Sequence, residues 1–137
     1  MSTEQNKAIV KRAFEQLYDQ RHVEVMDELW AKEFIHHWSG QEQGWAAWRE
    51  SMRRFFSSGP APDLHLVIED MIAEGDKVVL RFTWSHTHTV PSLGTEPTGK
   101  RISWTGISIN RLSNGKIVEE WANFDDLGRQ RQLGKIA

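Results

Sequence analysis

The strongest constraint on this chain is a change of period part-way along it. Before Pro62 the apolar residues recur at helical spacing, and after it they alternate along long stretches bounded by turn residues. Helices first and a run of strands afterwards is the order of an α+β fold, not of βαβ units. With 137 residues the chain has room for one domain, so 1–137 reads as a single unit. A domain of this size buries about 68–70% of its extended-chain surface and needs no metal or disulfide staple.

Three helices are expected in the first half. Ser2-Thr3-Glu4-Gln5 fits a capping box, and Ile9, Val10, Ala13, Phe14, Leu17 and Tyr18 then form one apolar stripe, which predicts a helix to about Gln20. Val23, Met26, Leu29 and Trp30 predict a second, shorter helix ending near the segment Phe34-Ile35-His36-His37-Trp38-Ser39-Gly40. A third carries Trp45, Trp48, Met52, Phe55 and Phe56, with Arg49, Arg53 and Arg54 on a solvated side, and stops at the breaker cluster Ser57-Ser58-Gly59-Pro60.

Four strands are expected in the second half, over 64–73, 78–89, 100–112 and 116–124. Glu74-Gly75-Asp76-Lys77 and Ser113-Asn114-Gly115 supply the hairpin turns, and 91–99 is a loop rich in Pro and Gly. The third strand is apolar on both faces, with Ile102 and Trp104 on one and Ile107 and Ile109 on the other. Helices cover one face, and a second subunit is the economical cover for the other. A homodimer or dimer-based oligomer is therefore expected.

Charge and composition exclude several partners. Lys plus Arg total 17 against 19 Asp plus Glu, so there is no electrostatic case for nucleic acid or an anionic membrane, and Arg129 and Arg131 make no basic stripe. The absence of cysteine removes disulfides, thiolate nucleophiles and Cys-ligated zinc. The start lacks an apolar signal core and no apolar run is long enough to span a bilayer, which makes the cytoplasm the expected location. No Gly-rich phosphate loop or HExxH motif occurs, so no metal, nucleotide or flavin is expected.

Four segments then carry a resemblance. Gly94-Thr95-Glu96-Pro97-Thr98-Gly99-Lys100-Arg101 resembles the G-x-x-P-T-G-(K/R) loop of SnoaL-like polyketide cyclases and their ester-cyclase relatives. The hairpin Asn110 to Trp121 resembles their R-x-x-x-G-K-I-x-E-x-W. Asp125-Asp126-Leu127-Gly128 with Arg131-Gln132-Leu133-Gly134 is similar to their D-x-x-G…R-Q-L-G, and Ser85-His86-Thr87-His88-Thr89 to their G-T-H-x-G strand end, with its glycines replaced. The likeness runs over nearly the whole chain, including the N-K-x-I-V-x-R opening.

The resemblance implies a cone-shaped fold of the nuclear transport factor 2-like superfamily, three helices on a strongly curved antiparallel sheet around an apolar pocket. It also implies cofactor-free aldol ring closure of a polyketide, driven by an aspartate acid/base and a neighbouring histidine. By register from Gly115-Lys116-Ile117 and Arg131-Gln132-Leu133-Gly134, those two positions fall at Ala122 and Ser108. Neither residue can abstract a proton unaided.

Other residues are candidates for the chemistry. If Ala122 faces the cavity, strand alternation turns Glu120 and Phe124 the same way, making Glu120 the acid/base candidate; its plainer reading is a solvated carboxylate at a rim or an interface ion pair. Asp125 enters the pocket only if the strand has ended and turned. His86 and His88 share a strand face and fit acid/base or substrate-donor roles as well as plain strand-end hydrogen bonding; as a His-x-His pair they lack further metal ligands. Of His36 and His37, at the end of the second helix, one points inward and the other out, or they simply cap and pack the helix end; His37 is placed at the rim. Seven Trp is a heavy aromatic load, and Trp38, Trp84 and Trp104 are expected to line the pocket around Ser108 and Ala122. Two functions fit these residues. One is a small-molecule enzyme that cyclises, isomerises or hydrolyses an apolar ligand; the other is a non-catalytic binding or dimerisation module of the same fold.

Overall fold

The computed structural model describes residues 1–58, 63–91, 94 and 96–135. The breaker Gly59-Pro60, the switch residue Pro62 and Thr95 of the Pro-Gly loop lie outside the described residues.

Helix α1, Thr3–Phe14, begins on the expected capping box: the Ser2 hydroxyl accepts from the Gln5 N–H at 3.1 Å while the Ser2 N–H donates to Gln5 Oε1 at 2.8 Å. The helical run continues through a π-helical turn, Glu15–Asp19. A π turn widens the helix by a residue, and here it keeps Leu17 and Tyr18 on the buried side.

The second helix departs from expectation. Helix α2 covers only Val25–Leu29, and the chain goes straight into strand β1, Trp30–Trp38, and strand β2, Gln41–Gly44. Ser39 and Gly40 join them with φ of 49° and 73°, as a two-residue hairpin turn requires. The physical reason is a partner far along the sequence. β1 lies parallel to β6, Lys116–Phe124, and that ladder outweighs the helical spacing of Met26, Leu29 and Trp30.

Helix α3, Trp45–Ser58, follows, then strands β3, His65–Glu74, β4, Lys77–Thr87, and β5, Arg101–Ser113. These and β6 agree with the expected strands to within a few residues. A short helix α4, Asp126–Gln132, closes the described chain and was not expected. The six strands form one curved sheet in the order β2-β1-β6-β5-β4-β3, antiparallel throughout except for the β1–β6 pair.

Helices pack on the inner face, α1 against β3 and β4 and α3 against β1. The core between them is aromatic: Phe14, Trp30, Phe34, Trp48 and Phe82 are each at most 1% exposed. Such rings bury about 150–250 Å² apiece, which gives a small domain a large apolar driving force. The outer face instead presents Val67, Ile72, Ile107 and Ile109 to solvent. No helix among the described residues is long and apolar enough to cross a membrane.

Candidate functional site

The inner face and helices α1, α3 and α4 enclose a cavity of about 370 Å³, within the range typical of small-molecule pockets. Its wall is mostly rings: Phe14, Tyr18, Trp48, Phe55, Phe82 and Phe124, with Trp38, Trp84 and Trp104, the three tryptophans expected there. Trp84 sits between Tyr18, at a centroid separation of 4.9 Å, and Trp104, at 5.9 Å. The aromatic wall is thus continuous from the π turn to β5.

Glu120 reaches this cavity, as the strand parity of β6 predicts. It is only 3% exposed, and burial pushes its carboxyl up to about 7, while the neighbouring Ser108 hydroxyl pulls the other way. Its Oε1 is buried and makes no hydrogen bond to a described residue. Opposite it on β1 stands His36, whose Nε2 is 3.6 Å from Oε1, just beyond hydrogen-bond length. Burial lowers His36 to about 4, with repulsion from His37 adding to the shift. The imidazole is therefore neutral near pH 7, where the carboxyl titrates. Tyr18 completes the group: burial and the charge on Glu120 hold its phenol well above the ordinary range, so it remains a hydrogen-bond donor.

His86 also lines the cavity, edge-on to Trp104 at 5.4 Å, with Nδ1 3.1 Å from the Thr87 carbonyl. Burial lowers it too, so it is neutral near pH 7. At the open end Asp126 and Arg129 enter from α4, with side chains 45% and 27% exposed.

Several expected site residues lie elsewhere. His37 falls on the outer face, because β1 is a strand and its neighbour His36 takes the inner side; its Nε2 pairs with Glu119 at 2.7 Å and its ring stacks on Trp121 at 5.3 Å. His88 lies past the end of β4 and outside the cavity lining. Its Nδ1 accepts the Thr98 N–H at 3.2 Å and stands 3.0 Å from the Thr98 hydroxyl, and Gly99 donates to its carbonyl, so the P-T-G segment is clamped on a fully buried ring. Asp125 caps α4 by accepting the Gly128 N–H at 2.9 Å. A Cβ on Gly128 would stand 2.2 Å from an Asp125 carboxylate oxygen, so the D-x-x-G motif is a helix cap.

Ser108 and Ala122 are paired across the β5–β6 ladder and both are buried, but neither lines the cavity. Ser108 accepts from Asn110 Nδ2 at 3.1 Å and so stands behind Glu120 as part of a buried polar chain. Tyr18, Asp126 and Arg129 were not among the expected site residues, and of the pair His36 and His37 it is His36, not the favoured His37, that reaches the cavity. The alternation of Phe34, His36 and Trp38 was the one local signal that could have found His36. Among the described residues, no group of three or more His, Cys, Asp or Glu is placed to hold a metal ion.

The SnoaL-like polyketide cyclase family model matches residues 8–133. Among solved structures, AclR from Streptomyces galilaeus, a candidate hydroxylase, is 27% identical with a TM-score of 0.88 over 99% of this chain and 89% of its own. TsrD from Streptomyces laurentii is 29% identical with a TM-score of 0.84 over 99% of both chains. A candidate polyketide cyclase from Acidithiobacillus ferrooxidans is 25% identical with a TM-score of 0.84 over 100% of both. No curated protein matches the sequence.

Proposed function

The chain belongs to the SnoaL-like polyketide cyclase family, and from that footing we propose that it binds an apolar, ring-bearing small molecule in the inner cavity and moves a proton on it, without a cofactor. The observation that carries this reading is Glu120: a carboxyl buried in an aromatic cavity, titrating at about 7, with a neutral imidazole 3.6 Å away. A base poised near the working pH is half in its proton-accepting form and half in its proton-donating form, which is the best compromise for acid/base work.

The proposed step is abstraction of a proton from a carbon next to a carbonyl. The C–H electron pair moves into the enolate, the proton goes to Glu120, and a neutral donor, His36 or Tyr18, bonds the developing oxyanion. Return of the proton to another carbon is isomerisation; attack of the enolate carbon on a second carbonyl forms the ring bond, and the proton on Glu120 passes to the alkoxide left on that carbonyl oxygen. Glu120 would then take the place of the aspartate that the family resemblance puts at position 122. The similarity to AclR, a candidate hydroxylase, is a reminder that this fold alone does not select the reaction.

A bicyclic ketone with acidic methylene protons, 2-tetralone, tests the reading by NMR in deuterium oxide. The protein should accelerate exchange of those protons, and Glu120→Gln should slow it by at least about 100-fold while quenching of tryptophan fluorescence still reports binding. Unchanged exchange in that variant removes Glu120 from the chemistry. Saturable binding with no acceleration in the native chain selects the non-catalytic binding module instead.

A further inference from the structure

The ionisable groups of the cavity other than His86 fall into two sets. Glu120, His36 and Tyr18 are the buried set, and Asp126 and Arg129 are the part-exposed set at the open end. Arg129 is held in place from below: its guanidinium carbon lies 5.0 Å from the Trp104 ring centroid, a cation–π contact. Its charge is felt inside, since it contributes to the lowering of His86.

The cation is incompletely neutralised. Asp126 reaches one terminal nitrogen, from 3.4 Å, a long and weak contact for a group with five donors. The Nε of Arg129 is buried and makes no hydrogen bond to a described residue. Because the Nε is shut away, a bound molecule meets the terminal nitrogens, of which one has only the long Asp126 contact. A planar guanidinium lying on an indole at the mouth of an aromatic cavity is suited to one kind of group, a planar oxyanion presented in line with a flat ring.

We infer that the ligand is an aromatic or polycyclic carboxylate, with its ring body laid against the wall that Trp84 and Trp104 form and its carboxylate held at the mouth by Arg129. This rests on the reading that the cavity binds an apolar small molecule, and it adds the charge and orientation of that molecule. The acidic end stays at the rim and the uncharged end enters toward Glu120. The ligand carboxylate is thereby kept from the buried carboxyl of Glu120; the carboxylate it does approach, Asp126, is part-exposed, so their repulsion is screened by solvent and offset by Arg129.

Calorimetric titration with 2-naphthoate and with methyl 2-naphthoate, its uncharged analogue, tests the assignment. The native protein should bind the acid at least about tenfold more tightly than the ester, the scale of one charge-assisted hydrogen bond. Arg129→Gln should bring that ratio close to one, and Arg129→Lys, which keeps the charge without the fork, should recover part of it. Near-UV circular dichroism checks that each variant keeps its packed aromatic core. Equal affinity for acid and ester in the native protein, or an unchanged ratio in Arg129→Gln, overturns the carboxylate assignment and leaves the cavity reading standing. Failure of both compounds to bind overturns the cavity reading and this inference together.

Discussion

His36 and Glu120 are paired directly across the parallel β1–β6 ladder, and their side chains meet on the inner face with Nε2 3.6 Å from Oε1. Burial drives the two in opposite directions, the carboxyl up to about 7 and the imidazole down to about 4. Each is pushed toward its uncharged form, so through mildly acidic pH the pair stands as carboxylic acid beside neutral imidazole.

That opposition has a consequence for stability. Between its ordinary value of 4.5 and about 7, folded Glu120 keeps a proton that the unfolded chain has released, so its contribution to stability falls as pH rises through that window. The full effect is on the order of 3 kcal/mol. Between about 4 and its ordinary 6.5, folded His36 has lost a proton that the unfolded chain still holds, so its contribution rises with pH by a similar amount. The two nearly cancel between 4.5 and 6.5. In urea unfolding across this range the pair should therefore add almost no slope of its own, so relative to the native chain His36→Gln should lose stability as pH rises and Glu120→Gln should gain it. Equal slopes in all three proteins would rule the coupled pair out.

A second prediction concerns the aromatic wall. Gly106 on β5 lies opposite Phe82 and Phe124 in the ladder, and a Cβ there would stand 2.7 Å from the Phe82 ring and 2.9 Å from that of Phe124. Both rings line the cavity, so Gly106→Ala must push them into it. The variant should lose about 1–3 kcal/mol in denaturant unfolding and bind 2-tetralone more weakly than the native chain. Native stability with native binding would show that the rings have room to move.

What was legible in the sequence is what depends on neighbours along the chain. The Ser2–Gln5 capping box, the Asn114-Gly115 turn and the strands on either side of it all declare themselves within a few residues. Parity within β4, β5 and β6 was enough to send Trp84, Trp104 and Glu120 inward. β1 was hidden because its partner β6 is remote in sequence, and with it went the choice between His36 and His37. His88 misled for a related reason: parity with His86 holds only while the strand continues, and β4 ends at Thr87, after which Thr98 takes the ring. Tyr18 and Arg129 reach the cavity from opposite ends of the chain, and no spacing rule brings such residues together. The motifs behind the family resemblance were partly structural, as the Asp125–Gly128 cap and the Thr98–His88 clamp show.

The last prediction concerns the outer face. Ladder register places Ile72 beside Val79, Val79 beside Ile109, Ile109 beside Trp121 and Trp121 beside His37, one apolar row running across five strands. Ile72 is 62% exposed and Ile109 is 37% exposed, and Ile107 beside the row is 51% exposed. At the row's end His37 is braced on Trp121 and fixed by Glu119, which Arg111 holds in turn at 3.1 Å. We propose that a second copy of the chain covers this row about a two-fold axis, since the same surface then serves both partners. Light scattering at micromolar concentration should find a dimer or a multiple of one. Ile109→Lys changes a partly exposed position with little effect on the isolated fold, yet it places an ammonium in the middle of the joint, where a second copy would strip it of water. With Glu119 already held by His37 and Arg111, that ammonium is not neutralised in the joint, and the variant should run as a monomer with an unchanged circular dichroism spectrum. A native chain that is already monomeric, or a variant that stays dimeric, would place the contact elsewhere.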